Sequence, residues 1–189
     1  MLIETIFKKI NTKFKNDILR FNHTLGVYQM AIQLANFYKI NDLTSIKIAA
    51  LFHDYTKNEP LEFHLSLLSN LVISKYKQTP FMYHAFSASV MLQREFNIHN
   101  KKILHAINKH VWGHQSMNKL DKIILVSDKL ENSRDFPKIN YFRKLAFENL
   151  DQVVYQLLEY NLNYYQSKGF RHYKEPLTIL KVLKIKMKL

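Results

Sequence analysis

The chain has 189 residues, of which 47% are apolar, so it is long enough to bury a core and is not intrinsically disordered. Only 3 glycines and 4 prolines are present, which disfavours a turn-rich β-sandwich or barrel, and the absence of cysteine excludes disulfides and thiolate metal sites. Lys and Arg number 28 against 15 Asp and Glu, and this formal balance of +13 attracts polyanions such as nucleotides.

The basic residues are scattered along the chain among apolar and amide side chains. No RNA- or DNA-binding signature accompanies them, so we expect no dedicated nucleic-acid binding. Residues 1–9 lack the apolar core of a signal peptide, and no run reaches the roughly 18 apolar residues of a membrane span. We therefore expect a cytoplasmic protein that does not enter membranes, and the sequence leaves a homodimer open.

The first predicted helix covers residues 25–38, where apolar residues recur at spacings of three and four. The next begins at Asp42 or Thr44, either of which can cap it. It continues through Phe52 with apolar residues on nearly all sides, so we expect it to be central and buried. This helix leads directly into His53 and Asp54.

Further helices are predicted over residues 61–71, 81–96, 101–110, 120–130 and 149–167. Pro60 and Pro80 supply the starts of the first two, and Gly169 ends the last. His84 lies on the inner face of the second of these helices, and Asp128 lies in the last turn of the fourth. Together these elements predict an all-α, compact multi-helix bundle without a sheet, with residues 1–189 forming a single domain.

Histidine and aspartate residues form the candidate metal site. Of the nine histidines, four lie in polar or loop-like contexts and are assigned no function: His64, His99, His105 and His114. His53 and Asp54 follow the most apolar helix, where both are costly to bury without a partner such as a metal ion. The other candidates, placed mostly at predicted helix ends, are His23 (just before the first helix), His84, His110 and Asp128. Helix ends can gather around one pocket in a bundle, so the set predicts a metal centre.

Three segments carry a family resemblance: Arg20-Phe21-Asn22-His23-Thr24-Leu25-Gly26-Val27, Ala50-Leu51-Phe52-His53-Asp54-Tyr55-Thr56-Lys57, and residues 121–137. They resemble motifs of the YqeK-type HD-domain phosphohydrolases, and the order His23…His53-Asp54…Asp128 is similar to the signature of HD domains in general. The resemblance extends from about Arg20 to about Arg171. It implies the all-α HD-domain bundle.

The resemblance also implies an activity, the symmetrical hydrolysis of diadenosine tetraphosphate into two ADP. The expected cofactor is a divalent transition metal, most of all iron, with manganese, cobalt or zinc as alternatives. It implies that a first ion is held by His23, His53, Asp54 and Asp128, and that Asp54 bridges to a second ion held by His84 and His110. The sequence leaves open whether one ion or two are bound.

Asp54, Lys57 and Arg134 are the expected catalytic residues. Lys57 lies one turn after His53, where its ammonium can neutralise a phosphate, and the guanidinium of Arg134 can bind phosphate oxygens as a fork. The residues predicted to bind substrate are His23, Asp54, Tyr55, Thr56, Lys57, His84, His110, Val111, Asp128, Arg134, Phe170 and Tyr173. Tyr83 and Trp112 are further candidates for stacking an adenine, although large aromatic side chains more often only pack.

The sequence departs from the family pattern near the predicted pocket. Where the family reads H-T-T-G, this chain has His110-Val111-Trp112-Gly113, which lacks a hydroxyl that can contact phosphate. The family's His-Gly and Glu-Pro pairs are His84-Ala85 and Glu131-Asn132, and the C-terminal motif is altered over residues 173–181. All six predicted metal ligands are therefore present, whereas the residues expected at the nucleoside end of the pocket differ from the family pattern.

Two alternatives remain open. Another HD phosphohydrolase, such as a deoxynucleoside 5′-monophosphatase, would share the metal site, although residues 134–137 argue against it. A non-catalytic HD domain that binds nucleotides or RNA would fit the basic balance and the altered loops. The intact ligand set argues against that second alternative, because a binding module needs no six ligands.

Overall fold

The computed structural model describes residues 1–169 and 174–188. Within this part of the chain there are eleven α-helices, one 3₁₀ turn and no β-strand, so the predicted all-α fold is confirmed. The helices are α1 Leu2–Lys13, α2 Ile18–Phe37, α3 Leu43–Phe52, α4 Leu61–Leu67, α5 Asn70–Tyr76, α6 Tyr83–Phe96, α7 Lys101–Lys109, α8 Lys119–Leu130, α9 Ile139–Ala146, α10 Leu150–Ser167 and α11 Lys174–Met187. The 3₁₀ turn, Pro80–Met82, leads into α6.

Helix α3 is the central element of the bundle and contacts α1, α2, α6, α7 and α8. Its side chains Ile46, Leu51 and Phe52 are at most 1% exposed, as the nearly all-round apolar sequence predicted. Asp42 caps its start, because Oδ1 accepts a hydrogen bond from the Ser45 N–H at 3.0 Å. Packing on several sides fixes α3, and with it the residues that follow its C-terminal end.

Helices α7 and α8, which both pack against α3, are also tied to each other. Asn118 and Asp121 form a capping box at the start of α8, and each side chain accepts the other's backbone N–H at 3.0 Å. Asp121 also pairs with Lys109 of α7, at 2.8 Å. This buried ion pair holds the end of α7 against the start of α8.

The start of α2 differs from the prediction. The helix begins at Ile18, not at residue 25, and Asp17 caps it by accepting the Arg20 N–H at 3.0 Å. Ile18 and Leu19 are exposed, so their apolar side chains give no buried face from which the first turn could be predicted. The prediction that His23 precedes the helix is therefore wrong, because His23 lies within it. Helix α1 was not predicted at all.

The predicted helix over residues 61–71 is also wrong in its second half. The chain leaves α4 at Leu68, whose backbone is extended with ψ 148°, and then starts α5. Leu68 and Val72 pack against a second apolar cluster that includes Tyr76 and Tyr83, so tertiary packing overrides local helix propensity. His64 is buried in α4 with Nδ1 2.8 Å from Oγ of Ser87, and does not lie in the polar or loop-like context expected of it.

Across the described ranges, none of the helices combines the length and apolarity that crossing a bilayer requires.

Candidate metal centre

The six predicted ligands come from five helices, and all six are buried. His23 lies within α2, His53 at the C-cap of α3 with Asp54 directly after it, His84 in the first turn of α6, His110 at the C-cap of α7 and Asp128 in the last turn of α8. Packing around α3 brings their side chains into two donor groups that share one residue.

The first donor group consists of His23, His53, Asp54 and Asp128. Nε2 of His23 is 3.3 Å from Nε2 of His53, 3.6 Å from Oδ2 of Asp54 and 3.2 Å from Oδ1 of Asp128. Nε2 of His53 is 3.7 and 3.8 Å from the same two carboxylate oxygens. Ligands about 2.0–2.2 Å from one tetrahedral ion lie about 3.3–3.6 Å from each other. These spacings therefore fit a single metal ion.

The second donor group consists of Asp54, His84 and His110. Oδ1 of Asp54 is 3.1 Å from Nε2 of His84 and 3.4 Å from Nε2 of His110, and the two nitrogens are 3.2 Å apart. Oδ1 is buried and accepts no hydrogen bond from the described residues. Asp54 thus turns Oδ2 to the first group and Oδ1 to the second.

Hydrogen bonds at Nδ1 determine where the histidine protons lie. Nδ1 of His53, His84 and His110 lies 2.8, 2.5 and 2.6 Å from the carbonyl oxygens of Ala50, Phe81 and Ile107. A carbonyl only accepts, so each Nδ1 carries a proton and Nε2 is the nitrogen of each ring that can bind a metal ion. The Nε2 atoms of His84 and His110 are 3.2 Å apart, a spacing that favours a cation beside them, and Lys57 Nζ lies 3.1 Å from Nε2 of His84. The donor chemistry therefore fits a divalent metal ion.

The pKa values of the histidines agree with this arrangement. Burial lowers the pKa of His53 to about 3 and that of His84 to about 4, so both rings are neutral at physiological pH. Burial also lowers the pKa of His23, but hydrogen bonds with buried carboxylates, first of all Asp128, outweigh burial and raise it to about 10. The local field thus favours positive charge at His23, and a metal ion binding there displaces a proton.

Both aspartates are ionised in spite of their burial. Burial raises the pKa of Asp54 and of Asp128, but neighbouring histidines and lysines, among them Lys57 beside Asp54 and Lys129 beside Asp128, hold it well below its usual range. Two carboxylates beside four imidazole rings form a donor set suited to a borderline divalent cation such as iron, zinc or manganese.

A cavity of about 660 Å³ opens onto both donor groups, through Asp54, His110 and Asp128. Four cationic side chains line it, namely Arg20, Lys57, Lys129 and Arg134, and its aromatic lining consists of Phe81, Phe136, Tyr160, Tyr164 and Tyr165. A cavity with positive charge at a metal centre and aromatic faces around it suits an anionic ligand that carries a base.

The four cations contact the aspartates directly or nearly so. Arg20 Nη1 is 2.5 Å from Oδ2 of Asp54, and Lys129 Nζ is 2.6 Å from Oδ2 of Asp128. Arg134 donates from Nη2 to Oδ1 of Asp128 at 2.9 Å and from Nε to its carbonyl at 3.0 Å. Lys57 Nζ lies 3.7 Å from Oδ1 of Asp54, and burial lowers the pKa of this lysine.

The predicted substrate-binding residues do not all reach this cavity. Val111 lines it together with the cations. Tyr55 is buried with its hydroxyl 3.1 Å from Glu95, and Thr56 donates to the carbonyl of His84 at 2.9 Å, so both side chains have structural partners. Tyr83 and Trp112 are buried in the second apolar cluster. Phe170 and Tyr173 lie outside the described residues.

Three residues at the site had no role assigned from the sequence, namely Arg20, Lys129 and Glu131. Arg20 opens the first family motif, and Lys129 follows Asp128 directly, so position in a motif was the available signal. Glu131 is buried and contacts His23. Its contact crosses 108 positions of sequence, so its place in the third family motif was the only local signal.

A family model described as HD domain matches residues 20–133. The chain belongs to the HD domain family. The matched segment contains the six residues of the two donor groups.

Two bacterial proteins similar to this HD domain chain carry the same enzyme name. The chain is 33% identical over 152 residues to the Bacillus subtilis (strain 168) protein "Bis(5'-nucleosyl)-tetraphosphatase, symmetrical", covering 79% of this chain and 81% of that protein. A protein of the same name from Halalkalibacterium halodurans is 30% identical over 173 residues, covering 89% and 91%. These similarities confirm the predicted YqeK-type assignment within the HD domain family.

The fold also matches a solved structure, a predicted HD superfamily hydrolase involved in NAD metabolism from Clostridium acetobutylicum. The TM-score is 0.87 at 23% identity, over 97% of each chain. This likeness establishes a shared HD-type helical bundle.

Proposed function

We propose that this protein is a metal-dependent phosphohydrolase that cleaves diadenosine tetraphosphate symmetrically into two ADP. One observation carries the proposal: two donor groups share Asp54 beside a cavity that four cationic side chains line. The relatives named as symmetrical tetraphosphatases support this choice of substrate.

We propose one divalent ion in each donor group, with Asp54 as the bridge. The Nε2 atoms and the spacings of the donor atoms support this assignment. Iron is the expected metal, with manganese, cobalt and zinc as alternatives, because imidazole and carboxylate donors accommodate all four. When bound, such ions would act as Lewis acids that activate water and polarise the phosphoryl group under attack.

The cations of the cavity bind and orient the polyphosphate. Phosphoryl transfer depends mainly on positioning and on neutralising the charge of the phosphoryl oxygens. Arg20 and Lys57 lie on the Asp54 side of the cavity, whereas Lys129 and Arg134 lie on the Asp128 side. Positive charge on both sides of the donor groups suits a polyphosphate chain that is cut near its middle.

Aromatic side chains provide faces for the nucleoside ends. Tyr164 is 53% exposed, and it lines the cavity together with Tyr165 and Tyr160 of the same helix. A base stacked on such rings gains binding free energy without sequence-specific hydrogen bonds. Phe170 and Tyr173 stay predicted substrate contacts.

Product analysis tests the proposed reaction. Protein purified anaerobically and loaded with Fe²⁺ or Mn²⁺ is incubated with diadenosine tetraphosphate, and the nucleotides are separated by ion-exchange chromatography. We expect ADP as the product. ATP together with AMP, or phosphate released only from deoxynucleoside monophosphates, would contradict the proposal, and nucleotide binding without turnover would favour the non-catalytic alternative.

Metal analysis tests the proposed cofactor. We expect iron to co-purify anaerobically, with one ion for each donor group. Protein that takes up no transition metal would contradict the assignment. Light scattering of the same sample tests the homodimer that the sequence left open.

A further inference from the structure

Glu131 is a buried carboxylate that contacts a proposed ligand without belonging to either donor group. It lies at the C-cap of α8 and is 1% exposed. Its Oε1 is 3.0 Å from Nδ1 of His23, on the side of the imidazole ring opposite the donor atom Nε2.

The turn after α8 holds this carboxylate in one orientation. Ser133 donates its backbone N–H to Oε2 at 2.7 Å and its hydroxyl to Oε1 at 2.5 Å. Arg143 of α9 donates to the carbonyls of Leu130 at 3.0 Å and Glu131 at 2.8 Å. Because Ser133 holds the carboxylate of Glu131 and Arg143 holds its backbone, the Glu131 side chain can hold the His23 ring in one orientation.

Gly26 provides the space that this carboxylate occupies. A Cβ atom at Gly26 would overlap Oε2 of Glu131 and would lie 3.1 Å from its Cδ and 3.2 Å from its Cβ. Glycine is a poor helix former, so its presence inside α2 needs a packing reason. The close approach of the Glu131 side chain supplies that reason.

We infer that Glu131 is a positioning residue, which holds the Nδ1–H tautomer of His23 so that Nε2 points into the first donor group, and that Gly26 makes room for it. The inference rests on the proposed metal centre. A carboxylate that accepts a hydrogen bond from Nδ1–H orients the ring and makes Nε2 a stronger donor, and loss of such a partner typically costs about 10–100-fold in metal affinity.

Metal affinity measured by competition with a chelator, with Zn²⁺ as the probe, tests this role directly. We expect Glu131→Ala to bind Zn²⁺ roughly 10–100-fold more weakly than the original protein. Glu131→Gln keeps the volume and one acceptor oxygen, so it loses less affinity. In the Zn²⁺-loaded original protein, the ¹H–¹⁵N spectrum of the His23 ring shows the proton on Nδ1, and in Glu131→Ala this signature is lost or mixed.

Gly26→Ala tests the contact between Glu131 and His23 from α2, the helix that carries both Gly26 and His23. The added methyl group pushes the Glu131 carboxylate away from His23, so Zn²⁺ affinity falls even though alanine favours the helix. Should Glu131→Ala fail to fold, Gly26→Ala and Glu131→Gln still report on the contact.

The double variant Gly26→Ala with Glu131→Ala gives the sharpest result. With the long side chain removed, the methyl group has nothing to displace, so we expect the double variant to bind Zn²⁺ as Glu131→Ala alone does. The inference would be overturned if the double variant lost Zn²⁺ affinity by the product of the two single losses, or if Glu131→Ala bound Zn²⁺ as tightly as the original protein. Either result would leave the metal centre in place. An original protein that binds no Zn²⁺ would overturn the proposed function and this inference together.

Discussion

Asp54 presents one carboxylate oxygen to each donor group, so it is the residue on which both proposed ions depend. Asp54→Asn removes the negative charge from both groups at once. We expect turnover to fall more than about 100-fold, beyond the loss typical of a partner outside the ligand set. The helical circular dichroism should stay unchanged, and metal analysis should show fewer bound ions.

Asp121→Asn is a matched control, because Asp121 is also buried but pairs with Lys109 and belongs to the capping box of α8. We expect it to lower the free energy of unfolding by about 1–3 kcal/mol while metal binding is retained. Loss of bound metal as large as in Asp54→Asn would show that burial of a carboxylate, not its place between the donor groups, determines the effect.

Among the four cationic side chains that line the cavity, that of Arg134 is the most exposed, at 41%. Its guanidinium forms two hydrogen bonds to Asp128, a geometry that a lysine ammonium cannot reproduce. We expect Arg134→Ala to lower kcat/KM by roughly 10–100-fold, as for a charged hydrogen bond worth about 1.5–3 kcal/mol. In steady-state assays, Arg134→Lys should keep only part of the original kcat/KM. Full kcat/KM in this variant would contradict the role of the two guanidinium hydrogen bonds.

Residue type and order predicted one site for the six His and Asp side chains, because such side chains need partners when they are buried. The family resemblance implied their division into two donor groups that share Asp54. Arg20 and Glu131 were missed as functional residues for a different reason. Their roles depend on contacts that cross 34 and 108 positions of sequence, to Asp54 and His23. Only the packing of α2 against α3 and α8 creates those contacts.

At the scale of helices, Arg143 ties α9 to the end of α8. It donates to the carbonyls of Leu130, Glu131 and Arg134, in the turn that carries the site residues. We expect Arg143→Leu to lower the free energy of unfolding by about 1.5–3 kcal/mol in urea.

The neighbouring Lys144→Ala is the control for that measurement. Its side chain is 81% exposed and makes a surface pair with Glu148, so its removal should change the free energy of unfolding by less than about 0.5 kcal/mol. Equal effects of the two substitutions would contradict the role assigned to Arg143.

Periodicity predicted helices best where burial is greatest. Helix α3 is apolar on nearly all sides and was found where the sequence placed it. The start of α2 was missed because Ile18 and Leu19 are exposed. The break at Leu68 depends on contacts with a second apolar cluster, which local sequence does not encode.

For the whole molecule, binding of the proposed metal should stabilise the fold, because the donor atoms come from five helices. An ion at 100 times its dissociation constant adds about 2.7 kcal/mol to the free energy of unfolding. For a chain of this size that raises Tm by roughly 5–11 °C. Differential scanning fluorimetry of chelator-treated protein with and without Mn²⁺ measures the shift, and Asp54→Asn should show much less of it.

Anomalous diffraction from crystals soaked with Mn²⁺ tests the two donor groups most directly. We expect two peaks beside Asp54, one among His23, His53 and Asp128, and one next to His84 and His110. A map in which Mn²⁺ occupies neither donor group, although the crystals bind the ion elsewhere, would contradict this expectation.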